Sequence, residues 1–239
     1  LWRSASGEGL SLAEITGVFV PPRAVLFDWD NTLVENWRAI QGALNAALAD
    51  AGLPPMEMEQ VMFQARHSAR DIFPKLFGDR SQHARDVFLE HFGRHQLSGL
   101  SIMPGAVELL DLLAEYAVPL AVVSNKKGDF LRREVEFLGW QSRFVGIVGA
   151  QDAAADKPDP APVYVALESA GLQASRDIWL VGDTDIDMRT AVAAGCYPIL
   201  VGPGPEDPAL LVGAEPALRC HNCDDLTGFV RRQWRTISV

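Results

Sequence analysis

Between about residue 105 and residue 201, short apolar runs alternate with stretches of helical periodicity. No other feature constrains the fold as much. Apolar residues at helical spacing predict helices over 105–116, 128–138, 160–170 and 187–194. Runs rich in Val, Ile and Leu predict strands at 119–123, 144–148, 178–181 and 198–201. Strands joined by helices of ~10–12 residues require right-handed crossovers, which build a parallel sheet covered on both faces. One earlier run, Val25-Leu26-Phe27 behind Pro21-Pro22, reads as a further buried strand. It is separated from its partners by a block in which helical spacing recurs over 37–51, 56–66, 69–77 and 82–96, without a convincing strand. The expected architecture is therefore α/β: a three-layer core over 23–35 and 101–239, with a small all-helical cap, 36–100, inserted after the first strand. A helix over 224–233, with Asp224 as its N-cap, is expected to close the core.

Composition excludes several function classes. The net charge of −10 argues against a nucleic-acid surface, which needs a basic stripe. It leaves room for an anionic small-molecule substrate, because one bound divalent cation reverses a local field. No apolar run approaches the ~18 residues of a membrane span. Residues 1–22 are read as an N-terminal extension and not as a signal peptide, since Glu8 and Glu14 interrupt it; the chain opens on Leu1, so its true start is left open. Three cysteines, an odd number, suit free thiols in a reducing compartment, hence the cytoplasm. Cys220-His221-Asn222-Cys223 resembles half of a zinc site, but the second pair is missing, and thiols without a metal are the expected reading.

The chemistry gathers at the strand ends. Asp28 and Asp30 follow the first strand, and in extended backbone residues i and i+2 point to one side. Such a pair suits a carboxylate nucleophile with a neighbouring acid/base, and equally a hard cation with oxygen ligands; alone, it is also compatible with a solvated acidic turn. Asn31-Thr32 adds a residue that tolerates left-handed backbone and a hydroxyl. The second strand leads to Ser124-Asn125-Lys126, near the amides of the next helix, where phosphate oxygens bind well. Pro158 denies Lys157 a helical conformation. The strand 178–181 leads through Gly182 to Asp183-Thr184-Asp185-Ile186-Asp187. In a parallel sheet these termini share one edge. Two carboxylates ~4 Å apart repel by about 4 kcal/mol at an effective dielectric near 20, so such a cluster calls for cations. Asp185, Lys126 and Lys127 are read as solvated side chains.

These motifs, Asp28-Trp29-Asp30-Asn31-Thr32-Leu33, Ser124-Asn125-Lys126, Lys157-Pro158 and Gly182-Asp183-Thr184-Asp185-Ile186-Asp187, resemble in type and order those of the haloacid dehalogenase superfamily. The branch that they resemble most is the phosphoglycolate-phosphatase-like one, and the match spans about residues 23–201. The resemblance implies a Rossmann-like core with a helical cap and a Mg²⁺-dependent phosphomonoester hydrolase. Asp28 would be the nucleophile, forming an aspartyl-phosphate, and Asp30 the acid/base. Thr32, Ser124, Asn125 and Lys157 would bind the phosphoryl group. Mg²⁺ would be held by Asp28, Asp183 and the Asp30 carbonyl, with Asp187 supporting a metal-bound water or Lys157.

Substrate choice would fall to the cap, whose densest polar cluster is Arg66-His67-Ser68-Ala69-Arg70-Asp71. Arg66 or Arg70 is the candidate for the substrate's non-reacting end; a solvated turn is the alternative. Phosphoglycolate is the most economical substrate, followed by sugar phosphates and nucleoside monophosphates. The partner expected is thus a small phosphorylated metabolite, bound by a monomer or homodimer. A sugar-phosphate mutase of the β-phosphoglucomutase type is the rival enzyme, and a non-catalytic binding or regulatory module with the same fold is the rival from another class.

Overall fold

A computed structural model of the chain describes residues 20–65 and 69–237. The expected N-terminal extension thus lies, up to residue 19, outside the described residues. The first strand, β1 (Ala24–Phe27), is buried on both faces. Its neighbours are β4 (Leu120–Lys127) on one side and β6 (Ile178–Gly182) on the other, both parallel to it. With β5 (Gly146–Ala150), β7 (Tyr197–Val201) and β8 (Leu218–Cys220) they form a six-stranded sheet in the order β5-β4-β1-β6-β7-β8. Every pairing in it is parallel.

Strand alternation builds the layers. Val25 and Phe27 point into one cluster with Leu109, Leu110, Leu113, Leu131, Phe229 and Val230. Those residues come from α5 (Ala106–Glu115), α6 (Gly128–Phe137) and α9 (Cys223–Ile237). Ala24 and Leu26 point to the other face, onto Val163, Ala166, Leu167, Ala191 and Ala194. That face is covered by α7 (Ala161–Glu168) and α8 (Asp185–Ala194). This is the expected α/β three-layer core.

Among the described residues, four helices intervene between β1 and the rest of the sheet: α1 (Trp37–Asp50), α2 (Met58–Ala65), α3 (Ala69–Phe77) and α4 (Ser81–His95). They pack around Leu44, Ala47, Leu48, Val61, Phe73, Phe77 and Ala84, a cluster separate from those of the sheet. The chain enters and leaves this insertion through a short antiparallel ribbon, β2 (Val34–Glu35) against β3 (Ser101–Ile102). A second seam joins insertion to core, where Phe92 of α4 meets Phe130 of α6 at 5.5 Å between ring centroids.

Several local expectations are corrected. β4 runs on to Lys127 instead of ending at Val123, with a register shift against β5 where the polar residues begin. β2, β3 and β8 span only two or three residues each, too few for periodicity to register. The closing helix starts at Cys223, and its cap is Asn222, whose Oδ1 accepts from Asp225 N at 2.9 Å; Asp224 lies inside the first turn. Cys220 and Cys223 are buried in the core without a disulfide, as is Cys196, and the Cys223 thiol donates to the Thr32 carbonyl.

Candidate active site

β1, β4, β5 and β6 run in one direction, so their C-terminal ends share an edge and bring distant residues together. Asp28 leaves β1 with its amide still bonded to Val181 O at 2.8 Å. Asn31 then takes the left-handed conformation, φ 61°, and its amide closes the turn onto Val34 O. Asp183 follows β6, and Asp187 lies in the first turn of α8. Oxygens of Asp28, Asp183 and Asp187 all lie within 4.8 Å of one another.

Lys157 binds this cluster together. Its ammonium sits 2.7 Å from Asp28 Oδ1 and 2.6 Å from Asp187 Oδ1. The Asn125 carboxamide fixes the lysine's backbone: Nδ2 donates to Lys157 O and Oδ1 accepts from Lys157 N, each at 2.9 Å. Asn125 thus spends its carboxamide on placing Lys157. Asp187 is 1% exposed, and its second oxygen accepts from both the amide and the hydroxyl of Thr184. Both of its oxygens are therefore engaged, which suits support of the cluster better than direct metal ligation.

The approach of β6 to α8 leaves no room for a side chain at position 182. A Cβ on Gly182 would lie 2.3 Å from Asp187 Cγ. We expect Gly182→Ala to push Asp187 away, costing about 1–3 kcal/mol of stability as overpacking does and lowering turnover as well. A denaturation midpoint equal to that of the unsubstituted protein would contradict this.

Electrostatics shows a site short of positive charge. Burial pushes the Asp28 carboxyl up to about 7, and Asp187 reinforces the rise against the pull of Lys157. Asp183 is also raised well above the usual range, by burial first and then by Asp187 and Asp28. Burial would lower the Lys157 ammonium, but Asp187 and Asp28 outweigh it and hold it above its ordinary value. With all three carboxyls ionised, one ammonium leaves two negative charges; burial and this excess are why two of them hold their protons so strongly. Hard oxygen donors with that excess fit a divalent cation such as Mg²⁺.

The two expected hydroxyls stand in β4 and in the turn after β1. Ser124 is buried in β4, and its Oγ accepts from the Lys126 amide at 3.1 Å. Thr32 is fully buried, and among the described residues its hydroxyl finds no partner. Of the two arginines expected to face the substrate, Arg66 lies outside the described residues, and Arg70 falls within α3.

Lys126 corrects the sequence reading. Its side chain is 6% exposed, and its ammonium bridges Asp30 Oδ1 at 2.7 Å and Glu134 Oε2 at 2.6 Å. Burial alone would lower its pKa, but the two carboxylates outweigh that and raise it. Alternation was the available signal: two residues beyond Ser124 in a continuing strand, Lys126 lies on the same side of the sheet. Ending the strand at Val123 hid it. Glu134, fully buried in α6, carried no sequence signal at all, being one of several charged residues on an amphipathic helix.

The chain thus combines a parallel α/β sheet, an acidic, lysine-bridged cluster at its C-terminal edge and a helical insertion after its first strand. Residues 25–201 match the family model of haloacid dehalogenase-like hydrolases. A phosphoglycolate phosphatase of Rhodospirillum rubrum is 34% identical over 206 residues, covering 81% of this chain and 85% of that protein. A phosphoglycolate phosphatase of Pectobacterium atrosepticum is 31% identical over 77% of this chain and 80% of its own length. Among solved structures, a HAD-superfamily hydrolase from Ehrlichia chaffeensis superposes with a TM-score of 0.63 at 26% identity, covering 90% of this chain and 99% of that one. A haloacid dehalogenase-like family hydrolase from Streptococcus pneumoniae shares the fold, with a TM-score of 0.77 at 21% identity over 87% and 97% of the two chains. The chain belongs to the haloacid dehalogenase-like hydrolases.

Proposed function

We propose that this chain, a phosphatase of that family, is a Mg²⁺-dependent phosphomonoester hydrolase that works through an aspartyl-phosphate on Asp28. The observation that carries this reading is the convergence of Asp28, Asp183, Asp187 and Lys157, from the segments that follow β1, β6 and β5, onto one point of the sheet edge. Lys157 holds Asp28 Oδ1, which leaves Oδ2 to attack phosphorus. As the new P–O bond forms, the bond to the leaving oxygen breaks with its electron pair, and Asp30 supplies that oxygen with a proton. Asp30, now ionised, takes a proton from water as the water attacks the phosphoryl group. The P–O bond to Asp28 breaks, inorganic phosphate departs, and both carboxyl groups return to their starting states. Lys157, Ser124 and Thr32 would bind the phosphoryl oxygens, and Asn125 would act by holding Lys157 in place. Mg²⁺ on Asp28, Asp183 and the Asp30 carbonyl would neutralise the carboxylates and phosphate enough for them to share the site.

Phosphoglycolate is the proposed substrate, supported by the names of the relatives at 34% and 31% identity. The helical insertion would serve as the cap over the site, with Arg66 or Arg70 meeting the substrate's second anion. The partner would be a small phosphorylated metabolite, not a nucleic acid or a membrane; among the described residues no helix is long and apolar enough to cross one. Free, buried cysteines support a cytoplasmic setting.

We expect the purified protein to hydrolyse p-nitrophenyl phosphate only with a divalent cation, and phosphoglycolate with the higher kcat/KM. Inactivity on both at saturating Mg²⁺ would sink the hydrolase reading. Interconversion of sugar phosphates without phosphate release would replace it by a mutase.

A further inference from the structure

Asp30 is not held by the cluster of Asp28, Asp183 and Lys157. Its carboxylate pairs instead with Lys126, and that lysine belongs to a second buried polar network. The centre of the network is Glu134, which is 0% exposed. Oε2 accepts from Lys126 Nζ at 2.6 Å and from the Trp29 indole at 2.7 Å, and Oε1 accepts from Asn36 Nδ2 at 3.0 Å. Trp29 stands between the two motif aspartates, so the network grips the loop that carries Asp30 from both sides.

Asn36 connects this network to the root of the cap. It immediately precedes α1, where asparagine commonly caps its own helix through its side chain. Here it makes no such bond; Nδ2 donates to Gln96 O at 2.6 Å, just past the last turn of α4. The points at which the chain enters and leaves the cap are therefore tied to each other and to Glu134. Lys126 also lies over the Phe92 ring of α4, 5.5 Å from its centroid, so it touches both sides of the seam. In addition, Asn36 Oδ1 and both side-chain polar atoms of Gln96 are buried without partners among the described residues. The root thus holds more donors and acceptors than this arrangement uses, as a joint with a second bonding pattern would.

We propose that Lys126 and Glu134 form a positioning relay that couples the placement of the Asp30 carboxylate to the angle of the cap. The inference rests on Asp30 serving as the acid/base. Lys126 occupies Asp30 Oδ1, so proton exchange with the leaving group and with water falls to Oδ2. A shift of the cap at Asn36 would be felt at Glu134, passed to Lys126, and expressed as a change in where Oδ2 points. Lys126 is a positioning residue in this scheme, not a catalytic one.

The test uses the full chain with p-nitrophenyl phosphate and phosphoglycolate at saturating Mg²⁺. Lys126→Met should lower kcat by about 10- to 100-fold with KM within about threefold, the effect of a misplaced acid/base and not of lost binding. Lys126→Ala should regain kcat saturably with added ethylammonium and not with ethanol. Asn36→Leu should also lower kcat, and combining it with Lys126→Met should lower it by no more than about twofold beyond the lysine variant alone. Should the methionine variant not fold, Lys126→Gln keeps a donor without charge on a side chain one atom shorter, and the same fall in kcat with an unchanged circular dichroism spectrum supports the relay. Wild-type kcat in the lysine variants, or no amine rescue, overturns the positioning role; independent, multiplicative losses with Asn36→Leu overturn the link to the cap. A wild type inert on both esters fails the hydrolase reading itself, an outcome distinct from all of these.

Discussion

Replacing Asp28 by asparagine is expected to lower kcat by about four orders of magnitude or more, the scale on which loss of a covalent nucleophile acts. The carboxamide keeps the shape of the side chain and can still accept from Lys157, whose ammonium lies 2.7 Å from Oδ1. It offers no anionic oxygen to phosphorus. Stability should hold or rise, since the substitution removes one of several buried carboxylates that repel each other. Rapid quenching of the wild type with labelled substrate should trap an acid-stable, hydroxylamine-sensitive phosphoprotein that Asp28→Asn lacks. Undiminished turnover in the variant, or a phosphoprotein labelled at another residue, would contradict the assignment.

Removing divalent cations should abolish turnover, and returning Mg²⁺ should stabilise the fold in a pH-dependent way. Without a cation, burial pushes the Asp28 carboxyl from its ordinary value of 3.8 up to about 7, and burial raises Asp183 as well. The cation-free fold thus binds these protons more tightly than the unfolded chain does. The contribution of Asp28 to stability is present in full below about pH 4 and is lost as the pH rises through about 7; that of Asp183 has the same sign. A divalent cation reverses that loss, because it binds the ionised form and competes with the proton. At a hundredfold excess over Kd the gain is about 2.7 kcal/mol, or a rise in Tm of roughly 5–10 °C for a chain of this size. The rise should be larger at about pH 8 than at about pH 5.5. Thermal melts with and without Mg²⁺ at the two pH values measure it; a shift that is absent, or greater at the lower pH, would remove the cation from this cluster. Asp183→Asn should cancel most of the shift.

The sequence alone showed which segments carry the candidate site. Asp28 and Asp183 stand directly after β1 and β6, while Asp187 in α8 and Lys157 in the loop after β5 follow on the same edge, where parallel topology gathers residues whatever their sequence separation. The insertion was legible too, as a block of helical periodicity interrupting a strand–helix alternation. The capping box at Thr184 illustrates a local feature that doubles as site geometry: the same carboxylate that caps α8 meets Lys157.

What sequence reading lost has a common cause. Lys126, Glu134 and Asn36 carry the chemistry of surface residues, and composition and spacing assign such side chains to water. Their burial depends on where α4 and α6 meet across the seam between insertion and core, a contact between segments roughly forty residues apart. Local pattern assigns strands, helices and the edge at which strand ends gather, because hydrophobic period and chain direction are properties of a single segment. Which charges become partners inside the protein is a property of two segments at once. Only packing brings a carboxylate and an ammonium out of water together, and only then does the desolvation of one make the other necessary.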